Sequence, residues 1–457
     1  MATAPYFVIS PNTVLSVLGL LHGPDRAVPT PAEDWREAVV DVVVPALNEE
    51  DNIALCLASV ARQTMRPRRI LVVDDGSSDR TLQRAIAYSE AAGMELIPIH
   101  RKKPIGKTPT IKRQARELDS DVEFILDADT VLESENYIER TVQELYQGIG
   151  IASACGVVLP LRTRDRKRLL DDPVIRASCP QIPSHTDPSW GQRLDRAITN
   201  LYRGVLYLLL QRFVYRGQMV FFGTITNPVG CAVAYRRKYI EDLFALYEPV
   251  LGDDLTNSED IFIGFSMLNE GYRNIQLGDV MARSLEPRAR RLPRQLYLWS
   301  SAFLQSCYYF DDLVRSPLKA LRRARRRRRV RRDGSGADQR KVVEAYRQPF
   351  GRDHTRRLGR PVGWVVLMSA IEKVFFPTAL LVMILLRAWE PLAVTLAAET
   401  AVCLGILAAT AKGERLRSVG KGLVVAPIRY ASLLFDLVTM GRFVVDLWFR
   451  RNRKWRK

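Results

Sequence analysis

The fold of this chain is predicted from the stretch Val122 to Thr130, VEFILDADT, around which the rest of the sequence is organised. It begins as a mostly apolar run, typical of a buried strand, and ends in two carboxylates, Asp127 and Asp129, separated by an alanine. In an extended chain, residues i and i+2 point to the same side, so both carboxylates can converge on one hard cation. An Asp-x-Asp pair is also common in solvated turns, so its meaning depends on the surrounding sequence.

Composition sets the limits within which that stretch is interpreted. The chain has 457 residues, 47% of them hydrophobic, which is enough to bury a large core in more than one structural unit. Its formal net charge of +18 points to an anionic partner, either nucleic acid or anionic lipid. The six cysteines form no C-x-x-C pair and no zinc spacing with the four histidines, which predicts a reducing cytosol around the globular part.

The amino-terminal residues 1–35 do not match a cleavable signal peptide. The apolar run Tyr6 to Leu21 is interrupted by Pro11, and no basic region precedes it. We expect an interfacial segment or one docked on the core.

Predicted strands and helices alternate in the first third of the chain. AVVDVVVPAL (38–47), RILVVD (69–74), ELIPIH (95–100) and VEFIL (122–126) have strand patterns and are separated by helical ones, and a further strand is predicted in GIGIASACGVVLPL (148–161). A short basic helix is expected after Pro109. This alternation predicts βαβ units and an α/β domain with a largely parallel sheet.

Ligands of such sheets bind beyond the carboxyl ends of the strands. The polar residues at those ends are Asn48, Asp74, Asp75, Asp127 and Asp129, and Lys107 follows the third strand. An acidic turn after one strand is unremarkable, because Asp and Gly favour turns. Acids after two strands, together with the lysine, predict a pocket for a cation and a phosphate group.

Six short motifs in a fixed order carry a family resemblance. PALNEE, VVDDGSSD, GK, LDADT, GCAVAYRR and SED, the last followed by GY, resemble the motifs of the inverting family 2 glycosyltransferases. Within them, the sequence is most similar to membrane-bound polysaccharide synthases such as the hyaluronan, chitin and poly-N-acetylglucosamine synthases. The resemblance covers residues 41–299. It implies a GT-A catalytic domain, Rossmann-like with a mostly parallel sheet, a nucleotide sugar donor of the UDP-sugar type, and Mg²⁺ or Mn²⁺.

The resemblance also implies a role for individual residues. The nucleotide sugar is expected to contact Pro45, Asn48, Glu49, Asp74, Asp75, Lys107 and Asp127. The metal is expected on Asp127 and Asp129. The acceptor is expected to contact Gly230, Cys231, Glu259, Gln295 and Trp299. Cys231 also fits the simpler interpretation of a small core residue.

The catalytic base is expected about one helix length before Gly271-Tyr272, where Asp260 stands. Asp254, in GDDLTN, lies too far upstream. A helix amino terminus would stabilise the ionised form of Asp260, which a base requires. The same position is also compatible with a simple helix cap formed by Glu259 and Asp260.

One motif departs from the family pattern. Where Gln-x-x-Arg-Trp is expected, the sequence has Gln295, Leu298 and Trp299, so leucine replaces an arginine expected to hold the leaving diphosphate or the product channel. This departure favours a single addition to a lipid or short glycan acceptor, whereas the full motif set favours a growing polysaccharide.

Two segments between the motifs have less specific patterns. Residues 162–188 are basic, contain proline and show no periodicity, which predicts a surface insertion. Residues 192–216 predict one long helix, and we expect its aromatic and aliphatic stripe to form core rather than a ligand site.

The carboxyl-terminal third predicts attachment to a membrane. After the catalytic domain (36–285), we expect amphipathic interfacial helices (286–315), a solvated Arg-rich loop (316–360), a transmembrane hairpin (361–411), and an amphipathic or third membrane helix with a basic tail (412–457). The loop contains nine arginines between Arg322 and Arg332, suited to anionic lipid headgroups.

Charges in and around the hairpin predict its orientation and surroundings. Basic residues flank the hairpin on both outer sides, which predicts a multi-pass protein of the plasma membrane with a cytosolic catalytic domain. Glu372, Lys373 and Glu399 inside the hairpin are expected to face protein or a polar path.

Two other functional classes fit the sequence less well. A glycosidase with two catalytic carboxylates would need neither the lysine nor a nucleotide-type sheet edge. A non-catalytic basic protein that binds membranes or nucleic acid would need only the arginine run, and the sequence contains no recognisable nucleic-acid motif. We therefore expect no nucleic acid partner.

Overall fold

A computed structural model describes residues 7–22, 34–148, 150–184, 187, 189–251, 258–332, 350–411, 413 and 415–449. Among these residues, eight strands form a single sheet. The strands are β1 (Val40–Ala46), β2 (Arg69–Asp74), β3 (Leu96–His100), β4 (Val122–Leu126), β5 (Thr130–Leu132), β6 (Ile151–Pro160), β7 (Ala232–Arg236) and β8 (Arg273–Ser284).

The sheet order is β3-β2-β1-β4-β7-β6-β8-β5. Strands β3, β2, β1 and β4 are parallel neighbours, as are β6 and β8, whereas β7 is antiparallel to β4 and β6, and β5 is antiparallel to β8. The predicted α/β fold with a mostly parallel sheet is confirmed. Because β1, β2 and β4 run in the same direction, their carboxyl ends meet at one edge of the sheet.

Helices cover the sheet and explain why its central strands are apolar on both faces. In the catalytic domain they are α2 (Ile53–Ala61), α3 (Thr81–Ala92), α4 (Lys107–Glu117), α5 (Tyr137–Tyr146), α6 (Thr163–Leu170), α7 (Pro173–Ser178), α8 (Trp190–Leu209), α9 (Tyr215–Phe222), α10 (Arg237–Leu251) and α11 (Glu259–Glu270), preceded by α1 (Pro11–His22). Helix α3 ends at Gly93, which adopts the left-handed conformation that glycine tolerates. Helix α4 begins two residues before Pro109, because proline is accommodated in a first helical turn.

The aperiodic insertion forms two short helices, α6 and α7. At α7, the carboxylate of Asp172 accepts a hydrogen bond from the backbone N–H of Val174, and Pro173 occupies the first turn. These local signals stabilise helices too short for a periodic pattern to reveal.

The predicted long helix is present as α8 and α9, joined by a π-helical segment over Leu210–Val214. Helix α1 crosses α9 where Gly19 meets Gly217, so closely that a Cβ added to Gly19 would lie 2.8 Å from Gly217 Cα. The polar residues of α1, such as Asn12, are buried, whereas Leu21 is 78% exposed. This arrangement is the reverse of a water-soluble helix and suits a lipid surface.

Helices also dominate the carboxyl-terminal region. They are α12 (Leu292–Tyr309), α13 (Asp311–Val314), α14 (Ala320–Arg332), α15 (Arg352–Leu358), α16 (Gly363–Leu385), α17 (Trp389–Thr410) and α18 (Arg415–Val444). The prediction of a loop over residues 316–360 was wrong for α14 and α15. Arginine has a high helix propensity, and Arg323 anchors α14 by donating to the carbonyls of Ser316 and Leu358.

Three described helices, α16, α17 and α18, are long and apolar enough to cross a membrane. Two buried ion pairs join α18 to the other two: Lys373 Nζ lies 2.5 Å from Asp436 Oδ2, and Arg429 Nη1 lies 3.0 Å from Glu399 Oε1. Lys373 also donates to Ser300 Oγ in α12 at 2.9 Å. Glu372 Oε2 accepts a hydrogen bond from Asn12 Nδ2 at 3.0 Å, so Glu372, Lys373 and Glu399 face protein, as expected. These contacts tie the apolar helices to one another, to α1 and to α12.

Candidate active site

Beyond the carboxyl ends of β1 and β4 lies a cavity of about 580 Å³. It collects most of the residues that the sequence predicted for a site. Those that line it are Glu49, Lys107, Asp127, Asp129, Gly230, Cys231, Glu259, Asp260, Gln295 and Trp299. The cavity thus unites residues from both ends of a segment of about 250 positions, from β1 to α12.

Lys107, at the start of α4, joins two parts of the cavity. Its Nζ lies 2.7 Å from Asp127 Oδ1 and 2.7 Å from Glu259 Oε1, and it donates to the carbonyl of Gly230 at 3.0 Å. Burial alone would lower the pKa of Lys107, but the two carboxylates hold it well above its usual value. The lysine is therefore a fixed positive charge between the end of β4 and the start of α11.

The acids beside Lys107 outnumber it. Burial raises the pKa of Asp129 well above its usual value, and the nearby charges of Glu49 and Asp127 add to this effect. Burial and the neighbouring acids likewise raise the pKa of Glu49 to about 7, although Asn52 donates a hydrogen bond to it. This excess of negative charge suits a divalent cation, which would relieve the repulsion between the carboxylates.

Within the described residues, no group of three or more His, Cys, Asp or Glu side chains is arranged to hold a metal ion. The predicted pair of Asp127 and Asp129 therefore offers two carboxylates at most. Such a site fits Mg²⁺ or a similar ion that takes its remaining ligands from water and from substrate phosphates.

Asp260 lies buried in the first turn of α11. Its Oδ1 accepts hydrogen bonds from Ser258 Oγ at 2.6 Å and from the backbone N–H of Ile261 at 2.8 Å, and its Oδ2 accepts one from the N–H of Gly230 at 3.3 Å. Burial opposes ionisation, whereas these hydrogen bonds and the charge of Lys107 favour the ionised form that a base requires.

The neighbourhood of Asp260 leaves no room for a larger residue at position 230. A Cβ added to Gly230 would lie 2.7 Å from the Cβ of Asp260. The competing acid Asp254 falls outside the described residues.

Four predicted nucleotide-sugar residues, Pro45, Asn48, Asp74 and Asp75, do not line the cavity. Asp75 accepts hydrogen bonds from the backbone N–H groups of Ile105, at 2.9 Å, and Gly106, at 2.7 Å. These bonds fix the loop that presents Lys107.

Pro45 lies within β1, whereas Asp74 and Asn48 organise loops at the same sheet edge. Asp74 Oδ2 lies 2.7 Å from His100 Nδ1, and Asn48 Oδ1 accepts the N–H of Ser78 at 2.9 Å. Contact of these residues with a nucleoside stays a prediction.

A second wall of the cavity contains residues that the motifs did not indicate. They are Arg196, Arg203, Tyr207, Glu286, Arg288 and Arg291. The stripe of α8 forms core as expected, and one of its buried members, Tyr207, also lines the cavity. Arg196, Arg203 and Tyr207 are spaced by seven and four residues, so they share one helical face, and this spacing was the signal available in the sequence.

Arg203 organises this wall. Its Nη1 lies 2.8 Å from Glu286 Oε2, and both side chains are almost fully buried. Its guanidinium stacks over the ring of Trp299 at 4.2 Å and donates to Gln295. Leu298 lines the cavity at the position where the motif has arginine. The guanidinium beside Trp299 is instead that of Arg203, which comes from α8.

Comparison with known proteins gives this site a context. Residues 41–244 match the family model described as Glycosyl transferase family 2. An N-acetylglucosaminyltransferase of Azorhizobium caulinodans is 29% identical over 252 residues, which are 54% of this chain and 55% of that protein. An undecaprenyl-phosphate 4-deoxy-4-formamido-L-arabinose transferase of Serratia proteamaculans is 28% identical over 25% of this chain and 37% of that protein. The chain thus spans about half the length of the first of these relatives, or less for the second.

A solved structure resembles the chain over nearly its whole length. It is a mannosyltransferase from Pyrobaculum calidifontis in complex with GDP-Man and Mn²⁺, with a TM-score of 0.50, 16% sequence identity, and coverage of 96% of this chain and 94% of that one. At this identity the likeness speaks for the fold alone. Together with the family model, it confirms the expected GT-A fold.

Proposed function

We propose that this chain, a glycosyltransferase with a family 2 domain over residues 41–244, transfers a sugar from a nucleotide sugar to a growing polysaccharide at a membrane. The observation that carries this proposal is a single cavity. In it, Lys107 joins Asp127, on the donor side, to α11, whose first turn holds Asp260. A binding protein would need no such ionised, buried carboxylate facing a lysine and an acidic sheet edge.

The donor side of the cavity accounts for recognition of a nucleoside diphosphate. Lys107 neutralises part of the diphosphate charge, while Pro45, Asn48, Asp74 and Asp75 shape the nucleoside end of the sheet edge. The resemblance of the motifs favours a UDP-sugar. The structure of the mannosyltransferase with the similar fold contains GDP-Man, so the nucleobase of the donor is to be identified by experiment.

Asp127 and Asp129 would hold a Mg²⁺ or Mn²⁺ ion, because a bound cation relieves the repulsion between the two carboxylates. When bound, the ion stabilises negative charge that develops on the leaving diphosphate. Mn²⁺ accompanies the nucleotide sugar in the mannosyltransferase structure, in agreement with this assignment. Glu49 adds negative potential to the same place.

Asp260 is the proposed general base. It takes the proton of the acceptor hydroxyl while the acceptor oxygen bonds to the anomeric carbon and the bond from that carbon to the diphosphate breaks, which inverts the configuration. The hydrogen bonds from Ser258 and Ile261 fix the direction of its carboxylate. Glu259 is ion-paired with Lys107 and thereby positions the lysine. The proposed contact of Glu259 with the acceptor would be a second role.

Two candidates for the acceptor have support. A polysaccharide agrees with the order of the motifs and with the N-acetylglucosaminyltransferase relative. A lipid-linked acceptor is favoured by the link from the cavity to the membrane helices, because Trp299 lines the cavity while the adjacent Ser300 accepts a hydrogen bond from Lys373. The relative that acts on undecaprenyl phosphate supports this second candidate.

The proposed location is the cytosolic face of the plasma membrane. Helices α16, α17 and α18 provide the anchor, and α1 adds an apolar surface beside them. Arginines on α14, such as Arg325 and Arg329, are exposed and suited to anionic lipid headgroups. The excess of basic residues on the outer flanks of the hairpin favours a cytosolic catalytic domain.

The proposal is tested with purified protein and a panel of nucleotide sugars in the presence of Mn²⁺. Nucleotide release identifies the donor, and the length of the product distinguishes a polymer from a single addition. We expect chelation by EDTA to abolish transfer and added Mn²⁺ or Mg²⁺ to restore it. Full activity after chelation would contradict the metal assignment, and no release from any sugar nucleotide would contradict the proposed reaction.

A further inference from the structure

A second, smaller cavity of about 150 Å³ adjoins the first. It lies between the insertion helix α6 and helix α8, and Arg196 and Leu285 line both cavities. Its volume is below the roughly 300–1,000 Å³ of pockets that hold drug-sized ligands. It therefore suits a small group rather than a nucleotide.

The wall of this cavity is strongly basic. Among the described residues, its lining contains one carboxylate, Asp187, and four guanidinium groups, which belong to Arg162, Arg166, Arg193 and Arg196. Asp187 is buried and lies 3.1 Å from Arg196 Nη2. Arg162 forms an ion pair with Asp165, with a distance of 2.7 Å between Arg162 Nε and Asp165 Oδ2. Positive charge in this wall thus exceeds the carboxylates that accompany it.

Arg166 is the least compensated of the four. It is 3% exposed, yet it donates only to neutral acceptors: Asn52 Oδ1 at 2.8 Å, the carbonyl of Asp51 at 2.7 Å and the carbonyl of Pro183 at 3.2 Å. It forms no ion pair with any described residue. Three of its five N–H groups are engaged, so two remain for another acceptor.

Burial lowers the pKa of the Arg166 guanidinium to about 10, although the nearby carboxylates of Asp51, Asp187 and Glu49 raise it, and the positive charge of Arg196 adds to the lowering. None of these carboxylates forms an ion pair with Arg166 among the described residues, and a buried cation without an ion pair is costly. An anion in the cavity would reduce that cost.

A polar side chain on the other wall is also incomplete. Asn200 lines the cavity, and its Oδ1 atom is buried without a hydrogen-bond partner. This oxygen can accept a hydrogen bond from the P–O–H group of a hydrogen phosphate, and the hydroxyls of Thr163 and Ser184, which can donate, lie in the same lining. Polar groups with unused capacity, together with an uncompensated guanidinium, are the features of a built ligand site.

We propose that this second cavity binds a phosphate group. A phosphate presents several charged oxygens to guanidinium groups, which hold it through charge-assisted hydrogen bonds. Helix α6 supplies Arg166, and α8 supplies Arg193 and Arg196 from the opposite side. The basic insertion over residues 162–188 is thereby one half of an anion site rather than a passive surface addition.

The position of the site links it to glycosyl transfer, and this link rests on the proposed function. Arg196 lines both cavities and donates to the carbonyl of Glu286, the residue that pairs with Arg203 beside Trp299, so the phosphate would lie next to the expected acceptor residue Trp299. It belongs either to the acceptor molecule or to free inorganic phosphate that occupies the cavity. The chemistry of recognition is the same for both.

The first measurement is the binding of inorganic phosphate to the full chain in detergent, by calorimetry at a constant ionic strength of about 0.15 M to limit nonspecific attraction. We expect saturable binding, weakened at least about tenfold by Arg166→Gln, because a charge-assisted hydrogen bond is lost. Arg193→Gln, on the opposite wall, is expected to weaken binding similarly. Arg113→Gln removes an exposed arginine paired with Glu117 on α4 and serves as the matched control, with unchanged phosphate affinity.

The source of the phosphate is identified by transfer assays. A phosphate on the acceptor predicts that Arg166→Gln raises KM for a prenyl phosphate but leaves the corresponding prenyl alcohol unaffected. A free anion predicts that inorganic phosphate changes the rate with a neutral oligosaccharide, and that Arg166→Gln abolishes this change. Either result supports the phosphate site.

The proposal is overturned if phosphate does not bind saturably, or if wild-type protein, Arg166→Gln and Arg193→Gln bind it equally. Binding of UDP with Mn²⁺ serves as the folding control, since it depends on the donor side of the larger cavity. Failure of the proposed glycosyl transfer would appear separately, as absence of nucleotide release with phosphate binding intact.

Discussion

The two sides of the large cavity handle charge differently. On the donor side, one ammonium group, Lys107, faces the carboxylates of Glu49, Asp127, Asp129 and Glu259. In the second wall, buried Arg203 and Glu286 form an ion pair. The donor side thus carries more carboxylates than cations, whereas the pair in the second wall is one to one. This contrast indicates that the first side is organised for a charged reactant and the second for shape and positioning.

The largest expected effect comes from a substitution that breaks the ion pair between Arg203 and Glu286. Arg203→Met leaves Glu286 buried without its cation, and loss of one partner of a buried pair costs about 3–5 kcal/mol in the free energy of unfolding. Thermal unfolding in detergent measures this loss. The double variant Arg203→Met with Glu286→Gln is expected to recover much of it, because no unpaired charge remains. Equal stability of the wild type and Arg203→Met would contradict this account of the pair.

The second expected effect comes from breaking the donor side. Lys107→Met removes the cation that faces the diphosphate, and loss of one such electrostatic contact lowers kcat by about 10²–10³-fold. Steady-state kinetics with the identified nucleotide sugar measure the change. Lys112→Met, on the same helix but paired with Glu248, is the matched control and should retain nearly full activity. Similar activity of the two variants would show that the position of the lysine is irrelevant.

The amount that the sequence could predict differs between these two sides for a physical reason. Residues on the donor side follow strand ends, so short local motifs such as VVDDGSSD and LDADT identify them directly. Arg203 and Glu286 come from distant elements and meet only through packing of α8 against the segment after β8. The spacing of Arg203 with Arg196 and Tyr207 on one helical face was visible, but an arginine on a helix is ordinarily a solvated residue.

Two other differences have local causes. The run of arginines was expected to lie in a solvated loop, yet helix propensity and the contacts of Arg323 with the carbonyls of Ser316 and Leu358 favour α14. The insertion appeared aperiodic because α6 and α7 are each shorter than the window in which a helical period is recognisable. The third membrane helix, α18, was one of two alternatives, because its buried Arg429 and Asp436 obscured its apolar character.

A third prediction concerns the membrane region. Replacement of exposed Arg325, Arg326 and Arg329 on α14 by glutamine should weaken binding to vesicles that contain anionic lipid, by about 1 kcal/mol for each arginine near the surface. Co-sedimentation with vesicles of neutral and anionic composition measures the difference. Binding to neutral vesicles should not change, because the apolar helices remain. Equal binding of both proteins to anionic vesicles would contradict a headgroup contact.

The smallest effect is expected at the sheet edge, in the pH dependence of stability. Burial raises the pKa of Asp74, but hydrogen bonds from Ser77 and His100 outweigh it and hold the pKa below its usual value of 3.8. A carboxyl whose pKa is depressed by folding stabilises the protein above its unfolded pKa, and this stabilisation is lost as pH falls through the folded pKa. Asp74→Asn should therefore flatten the loss of stability below about pH 4. An unchanged acid limb in thermal unfolding would contradict this assignment.

The central claim is that the donor side and Asp260 act on one reaction in one cavity. The most direct test is single-turnover transfer by Asp260→Asn, with the identified nucleotide sugar and acceptor, beside a measurement of UDP affinity. A positioned base contributes about 10²–10⁴-fold, so we predict a loss of that size in the transfer rate with UDP affinity unchanged. Transfer by Asp260→Asn at the wild-type rate would contradict the account.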